Sequence, residues 1–474
     1  MKALRLLFAF TVVAGLEGTA HASGMYTSER GVRPLARGGA FVAGADDLGA
    51  ITYNPAGLSD ARTALLLDLA WVNVSTTFTR RSIVTDSAGN PTTLTSPPVD
   101  GATPFLPIPT LAGSYSPGNG MFTFAAGVHA PYASLSKYPA TLADGQPAPS
   151  RYSLVSLEGS VLANVGAYVA FKPIEELRIG AGFEALVGEL QSDLIFSASP
   201  QDRLLAAPES PEYDARAKLK TKPIFAPSAH FGVTAVPHPN IRLGAAFHLP
   251  YRIDVPAELN VTLPRAAAFD TASQTGNGVR VKTDLPATFR AGIEVRPLRD
   301  VRVEAAYVRE FWNVHRSLDI TPTSLSFSGI TGFPSPFNVP PVSIPRNFQA
   351  SNSFRLGGEV TVLQRERAPV GLDLRGGVNY ETSAVPTDYQ TPLTTDLSHV
   401  TIGIGAGVRP MPGLRIDVLF AHLFGFSEDV DPATAKVSAV NPLRGNPVTP
   451  VPINAGKYEQ SANIIGLGAT YQFQ

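Results

Sequence analysis

The chain has 474 residues, 38 Lys and Arg against 39 Asp and Glu for a formal net charge of -1, and only 16% charged residues. That balance leaves no basic excess to hold a phosphate backbone, which argues against nucleic acid as a partner, and a charged fraction well under the roughly 25% of soluble domains means that something else covers much of the surface. With no cysteine in the chain, disulfides, thiolate nucleophiles, Cys-ligated zinc and iron–sulfur clusters are excluded together.

Residues 1–22 read as a secretory signal peptide: Lys2 and Arg5 precede the apolar run Leu6 to Leu16, and Ala20-His21-Ala22 places small residues at both flanking positions of a cleavage site. A single-span anchor is the competing reading, but the run falls short of the roughly 20 residues that a bilayer core requires. No later window is long and apolar enough for a transmembrane helix, so a mature chain that spans a membrane does so as a closed barrel.

Residues 23–61 show no alternation. They are rich in Gly and Ala, carry the acidic pair Asp46-Asp47, and are expected to pack compactly as a plug inside a barrel lumen; a periplasmic tail is the alternative. Asn54-Pro55-Ala56 makes a stiff bend, because Pro fixes one torsion and lacks a donor while Asn bonds its neighbouring backbone. A simple turn before the first strand would explain the same three residues.

From residue 62 to 474 the chain reads as a barrel. Segments of period two dominate: Phe354, Leu356, Val360 and Val362 oppose Arg355, Gly357, Glu359 and Thr361, and Ile402, Ile404, Ala406 and Val408 oppose Thr401, Gly403, Gly405, Gly407 and Arg409. Strands give this alternation and helices do not. Fourteen strands are predicted, over 62–80, 107–116, 121–131, 151–171, 174–194, 215–236, 240–262, 278–296, 300–320, 346–363, 370–381, 396–409, 413–425 and 457–473. Short connections rich in Pro and Gly alternate strictly with long ones. One face of each strand is apolar and the other mixes both charge signs with glycine, which suits lipid outside and a crowded lumen inside, and the loop alternation is that of an outer-membrane barrel. Trp71, Tyr168 with Phe171, Tyr307 with Phe311 and Trp312, and Tyr471 with Phe473 are expected at the membrane interfaces; strand propensity alone is the plainer account. Pro131 at the end of the third segment cannot donate to a ladder and marks an edge, a bulge or a strand end.

The stretch GGAFVAGADDLGAITYNPAGLS around Asn54-Pro55-Ala56 resembles the N-terminal hatch of the long-chain fatty acid transporter family of outer membrane proteins (OmpP1/FadL/TodX), which includes aromatic hydrocarbon channels. LPATFRAGIEVRP from Leu285, SFRLGGEV from Ser353 and LRGGVNYETSAVP from Leu374 extend the likeness over essentially the whole mature chain. The resemblance implies a monomeric fourteen-stranded antiparallel β-barrel with an N-terminal hatch, in the outer membrane of a Gram-negative bacterium among its lipid and lipopolysaccharide. It implies passive uptake of hydrophobic molecules, captured at the outer loops and released sideways. Asn54, Pro55 and Ala56 would then be the hatch motif, and Gly127 and Pro131 would mark the lateral gate, unless they mark an ordinary strand end. Where that family places basic residues for a carboxylate head group, the nearest matches are Glu189 and Asp319; Arg290, Arg316, Arg355 and Arg375 are the candidate substitutes. Long-chain fatty acids or related amphiphiles are the first expectation, with an aromatic or alkane hydrocarbon channel or an aqueous porin as alternatives.

No cofactor or metal is expected. The chain carries no HExxH, GxSxG or Walker loop, so an outer-membrane barrel enzyme is the weakest alternative, and His129, His248, His315 and His422 are read as polar lumen or loop histidines.

Overall fold

The structure, a computed structural model, describes residues 30–103, 107–118, 120–130, 136–199, 210–443 and 452–473. The expected signal peptide, the first residues of the 23–61 segment and Pro131 lie outside the described residues.

Period-two segments form the strands β1 (Ala64–Thr85), β2 (Pro107–Tyr115), β3 (Phe122–His129), β4 (Val161–Ile174), β5 (Leu177–Glu189), β6 (Ile224–His238), β7 (Ile241–His248), β8 (Thr288–Leu298), β9 (Val301–Glu310), β10 (Ser351–Leu363), β11 (Gly371–Glu381), β12 (His399–Met411), β13 (Leu414–Gly425) and β14 (Gly456–Gln472). Each pairs antiparallel with the next, and β14 returns to β1 in unbroken register from Ala64 opposite Gln472 to Arg80 opposite Gly456. The result is a closed barrel of fourteen strands with no free edge, the form in which strands cross a bilayer.

The two faces of the wall separate as the alternation requires. In β10, Phe354 and Leu356 are more than half exposed, at 56% and 52%, while Ser353, Arg355 and Glu359 are buried. Ile293 and Val295 of β8 and Ile402 and Ile404 of β12 join the same exposed apolar belt. Phe122 stacks on Phe171 and Tyr471 meets Phe473 edge-on, beside the short turns where an aromatic girdle belongs. Tyr168 and Trp312, expected in the girdle, are buried instead: Tyr168 has the inward parity of β4, and Trp312 sits in a 3-10 turn, Trp312–Val314.

Five long segments depart from the sequence expectation. Each breaks in two, and the outer halves 191–197, 214–221, 251–262, 273–285 and 317–328 pair antiparallel as a second sheet, with 337–338 and 342–345 added to strand 317–328. Pro223, Pro250 and Pro286 stand in three of the breaks, where a missing N–H interrupts the ladder. The outer sheet has its own apolar core around Leu219, Val279, Val281, Ile320 and Phe327. The fourth strand also starts late, at Val161, because residues 151–160 form turns.

Residues 30–61 fold as α1 (Val32–Ala36), α2 (Ala50–Tyr53) and a 3-10 turn (Pro55–Asp60), with nearly every residue buried. They lie against the buried face of the wall. Gly38, at φ 61°, touches the β11 backbone, and a Cβ there would stand 2.5 Å from Val378 N, so only glycine fits. Arg33 pairs with Asp46, Asp47 and Glu359 at 2.6 to 2.9 Å, Arg37 with Glu294 and Glu304 at 3.1 and 3.3 Å, and Arg415 with Asp47 at 2.6 Å. Buried charges are tolerated when paired and hydrogen-bonded in this way.

Candidate functional site

Where the strands break, the barrel rim and the outer sheet do not close against each other. A cavity of about 280 Å3 lies between Ile108 of β2, Ala130 just after β3, Leu162 of β4, and Leu219 and Val281 of the outer sheet. A second cavity of about 110 Å3 opens within the outer sheet, lined by apolar side chains such as Phe196, Val261, Phe269 and Phe327. The two share Leu194, Leu219, Arg346 and Leu393 in their linings, so they adjoin, with a cation at their common wall.

Arg346 is 2% exposed. Its NH1 donates to Thr394 Oγ1 at 2.7 Å and Thr391 Oγ1 at 3.5 Å, its Nε has no partner, and no carboxylate pairs with it among the described residues. Burial without an anion pushes its pKa down to about 10. His315, also on the 280 Å3 cavity, sits between Trp312 and Phe348. Its Nδ1 lies 2.9 Å from the Asp284 carbonyl and 3.1 Å from Thr283 Oγ1. A carbonyl only accepts, so Nδ1 carries the proton and Nε2 presents a lone pair. Burial, and then the Arg346 charge, push this imidazole down to about 4, so it is neutral at physiological pH.

The three hatch residues come together with the wall. Asn54 Oδ1 accepts from Ala56 N at 3.1 Å, capping the 3-10 turn that Pro55 opens, while its Nδ2 donates to Val42 O at 2.9 Å, Val233 O at 3.2 Å and Thr234 Oγ1 at 3.0 Å. The wall offers Gly180 and Gly232 at this point. A Cβ at Gly180 would stand 2.2 Å from Pro55 C, and one at Gly232 2.0 Å from Asn54 Oδ1. Gly127 faces Ile51, whose Cδ1 lies 2.7 Å from where a Cβ would be. On the exposed side of the wall, Gly127 lines a groove of about 640 Å3 with Leu111, Val128 and Val165. Around Gly127, little more than backbone separates the buried segment from the lipid-facing surface.

The four arginines expected at a head group are not gathered. Arg316 is exposed, between the Trp312–Val314 turn and strand 317–328. Arg355 faces Glu381 at 3.7 Å, and Arg375 pairs with Glu359 and Asp417 at 2.5 and 2.6 Å. Arg290 is buried, with its Nε unpartnered among the described residues. None of the four lines either outer cavity. Of the histidines, His248 Nε2 lies 3.1 Å from Glu184 in a buried cluster with Tyr251 and His230, and His422 bonds Asn463. Arg346 was the residue that sequence reasoning passed over. Its signal was position: residues 320–345 carry no charge, and Arg346 ends that stretch.

A closed fourteen-stranded barrel with an apolar outer belt defines a transmembrane β-barrel protein. A family model described as outer membrane protein transport protein (OMPP1/FadL/TodX) matches residues 13–473. The chain belongs to this family of hydrophobic-compound channels; it is an outer-membrane protein of a Gram-negative bacterium and not an enzyme. Among solved structures, a Pseudomonas aeruginosa FadL homologue is similar with a TM-score of 0.69 at 16% identity, covering 95% of this chain and 100% of its own. The Pseudomonas putida toluene transporter TodX is similar at 0.64 and 15% identity, over 94% and 99% of the two chains. The Ralstonia pickettii toluene transporter TbuX follows at 0.57 and 17%, again over 94% and 99%. No curated protein matches the sequence.

Proposed function

We propose that the chain carries hydrophobic molecules passively across the outer membrane, in through the adjoining cavities of the outer sheet and out sideways through the wall near Gly127. The observation that carries this reading is the pair of adjoining apolar cavities, one within the outer sheet and the other reaching Ala130, three residues beyond Gly127. Residues 30–61 serve as a plug within the barrel: their burial and their bonds to β6, β8, β9, β10 and β13 support it. Asn54, Pro55 and Ala56 anchor the plug, and Gly127, with Pro131 beyond the described residues, marks the exit. The barrel acts as a monomer, surrounded by lipid and lipopolysaccharide.

Aromatic or alkane hydrocarbons are the favoured substrates. The smaller cavity is almost wholly apolar, and two of the similar structures, TbuX and TodX, are toluene transporters. A second reading, long-chain fatty acids, draws on the unpaired cation of Arg346. Uptake of toluene and of oleate by cells carrying the full chain tests both, with faster toluene entry expected. Deleting residues 24–58 should open ion conductance in planar bilayers that the intact protein barely shows; equal conductance of the two would favour an aqueous porin.

A further inference from the structure

On the lipid-facing side of the wall, Gly113 of β2 and Ala126 of β3 stand directly opposite each other. They lie between two rows of larger exposed side chains in register: Leu67, Leu111, Val128 and Val165 towards the long loops, and Tyr115 with Phe124 towards the short turns. The missing bulk leaves the groove of about 640 Å3 that passes over Gly127, and its other end reaches Leu414 and Tyr471 at the short-turn rim of the barrel. Left empty, such a furrow would deny its lining contact partners on one side.

At that rim Arg62 precedes β1 by two residues. It is exposed and pairs with no carboxylate among the described residues. Its backbone φ is 58°, in the left-handed region that residues other than glycine rarely adopt. Ser114 Oγ donates to Arg62 O at 2.5 Å, which ties this residue to the strand that carries Gly113. Arg62 and Leu65, which lines the groove, are three residues apart, a span of at most about 11 Å. An unpaired cation thus stands beside the open end of an apolar furrow.

A hydrocarbon would fill the furrow and leave Arg62 unused, and a soluble anion would do the reverse. A glycerophospholipid supplies both parts, an acyl chain and a phosphate that matches the arginine fork. The short turns of an outer-membrane barrel face the periplasm, so the leaflet beside this end of the wall is the periplasmic one. We propose that the furrow binds one glycerophospholipid of that leaflet, its acyl chain over Gly113, Ala126 and Gly127 and its phosphate on Arg62. The lipid covers from outside the place where the wall is little more than backbone. The site goes beyond the transport reading and does not depend on where the substrate leaves the barrel.

Native mass spectrometry of the full chain, released from detergent, tests the site with dioleoyl phosphatidylethanolamine and with dioleoylglycerol, which has the same chains and no phosphate. One phospholipid is expected to bind about tenfold more tightly than the diglyceride. Arg62→Gln should abolish that preference, Arg62→Lys should keep most of it, and Ala126→Phe, which fills the furrow from an exposed position, should weaken both probes. Arg299→Gln, exposed on the β8–β9 turn, should change nothing. Equal binding of the two probes to the unmodified chain overturns the proposal whatever the variants do. It is also overturned if Arg299→Gln acts like Arg62→Gln, if Ala126→Phe holds the lipid undiminished, or if lipid A binds as tightly as the phospholipid. Loss of toluene and oleate uptake with lipid binding intact would sink the transport reading alone.

Discussion

The Asn54 side chain donates to the Thr234 hydroxyl at 3.0 Å, joining the N-terminal segment to a strand 180 residues away. The same amide bonds Val42 O and Val233 O and caps the following turn, so one residue satisfies groups on both partners. Asn54→Ala leaves buried acceptors unpaired at about 1–3 kcal/mol each. The expected outcome is faster proteolysis of residues 30–61 and raised ion conductance, with the barrel's own melting little changed. Gly180→Ala, which drives a methyl into the Pro55 backbone, should act in the same direction.

Arg37 sits fully buried against two fully buried carboxylates, Glu294 and Glu304. Glu304 is also held by the N–H groups of Val42, Ala43 and Gly44. Arg37→Met strands part of that negative charge, a loss of about 3–5 kcal/mol where one partner of a buried pair is removed. Denaturant titration of the refolded protein should register it, and Arg37→Met with Glu304→Gln should recover much of the loss. If the double variant is no more stable than the single one, the charge pairing is not what holds this contact.

The wall was legible in the sequence because lipid on one side and a polar interior on the other impose a residue-by-residue rule, visible from Phe354 to Val362. The same rule hid the breaks, since the alternation runs on through them; Pro223, Pro250 and Pro286 were the signal, each a missing donor inside an apparently continuous strand. Asn54-Pro55-Ala56 was legible as a local bend, but its partners Val233 and Thr234 were not, because no local period encodes a contact across 180 residues. Strand parity makes Arg290, Arg355 and Arg375 lumen-facing, and they do lie on the buried face, whereas Arg316 was a candidate only for its nearness to Asp319. Parity says nothing about which cation lacks an anion, and the one between the two outer cavities, Arg346, lies in a connection between strands.

Ile404 is 56% exposed on β12, and Thr401 on the same strand is 2% exposed. Ile404→Arg puts a charge on the lipid side and should cost about 2–4 kcal/mol near the midplane. Thr401→Val keeps its position on the buried face and should cost much less. Folding into lipid vesicles under a denaturant gradient measures both, and similar losses for the two would contradict the outward orientation of the apolar belt.

His315 supplies the pH dependence. Its pKa is held down to about 4 from the usual 6.5 by burial and by Arg346. Between these values the unfolded chain binds a proton that the folded site refuses, so stability rises with pH across that window. The contribution is complete above about pH 6.5 and is lost as pH falls towards 4, up to about 3 kcal/mol for a shift of this size. Denaturant titration of the full chain should therefore show a stability that is flat from pH 8 to about 6.5 and falls between there and 4, and His315→Leu should remove that fall. The same pH profile in His315→Leu and in the unmodified chain would mean that water reaches the ring and that the Arg346 charge is screened.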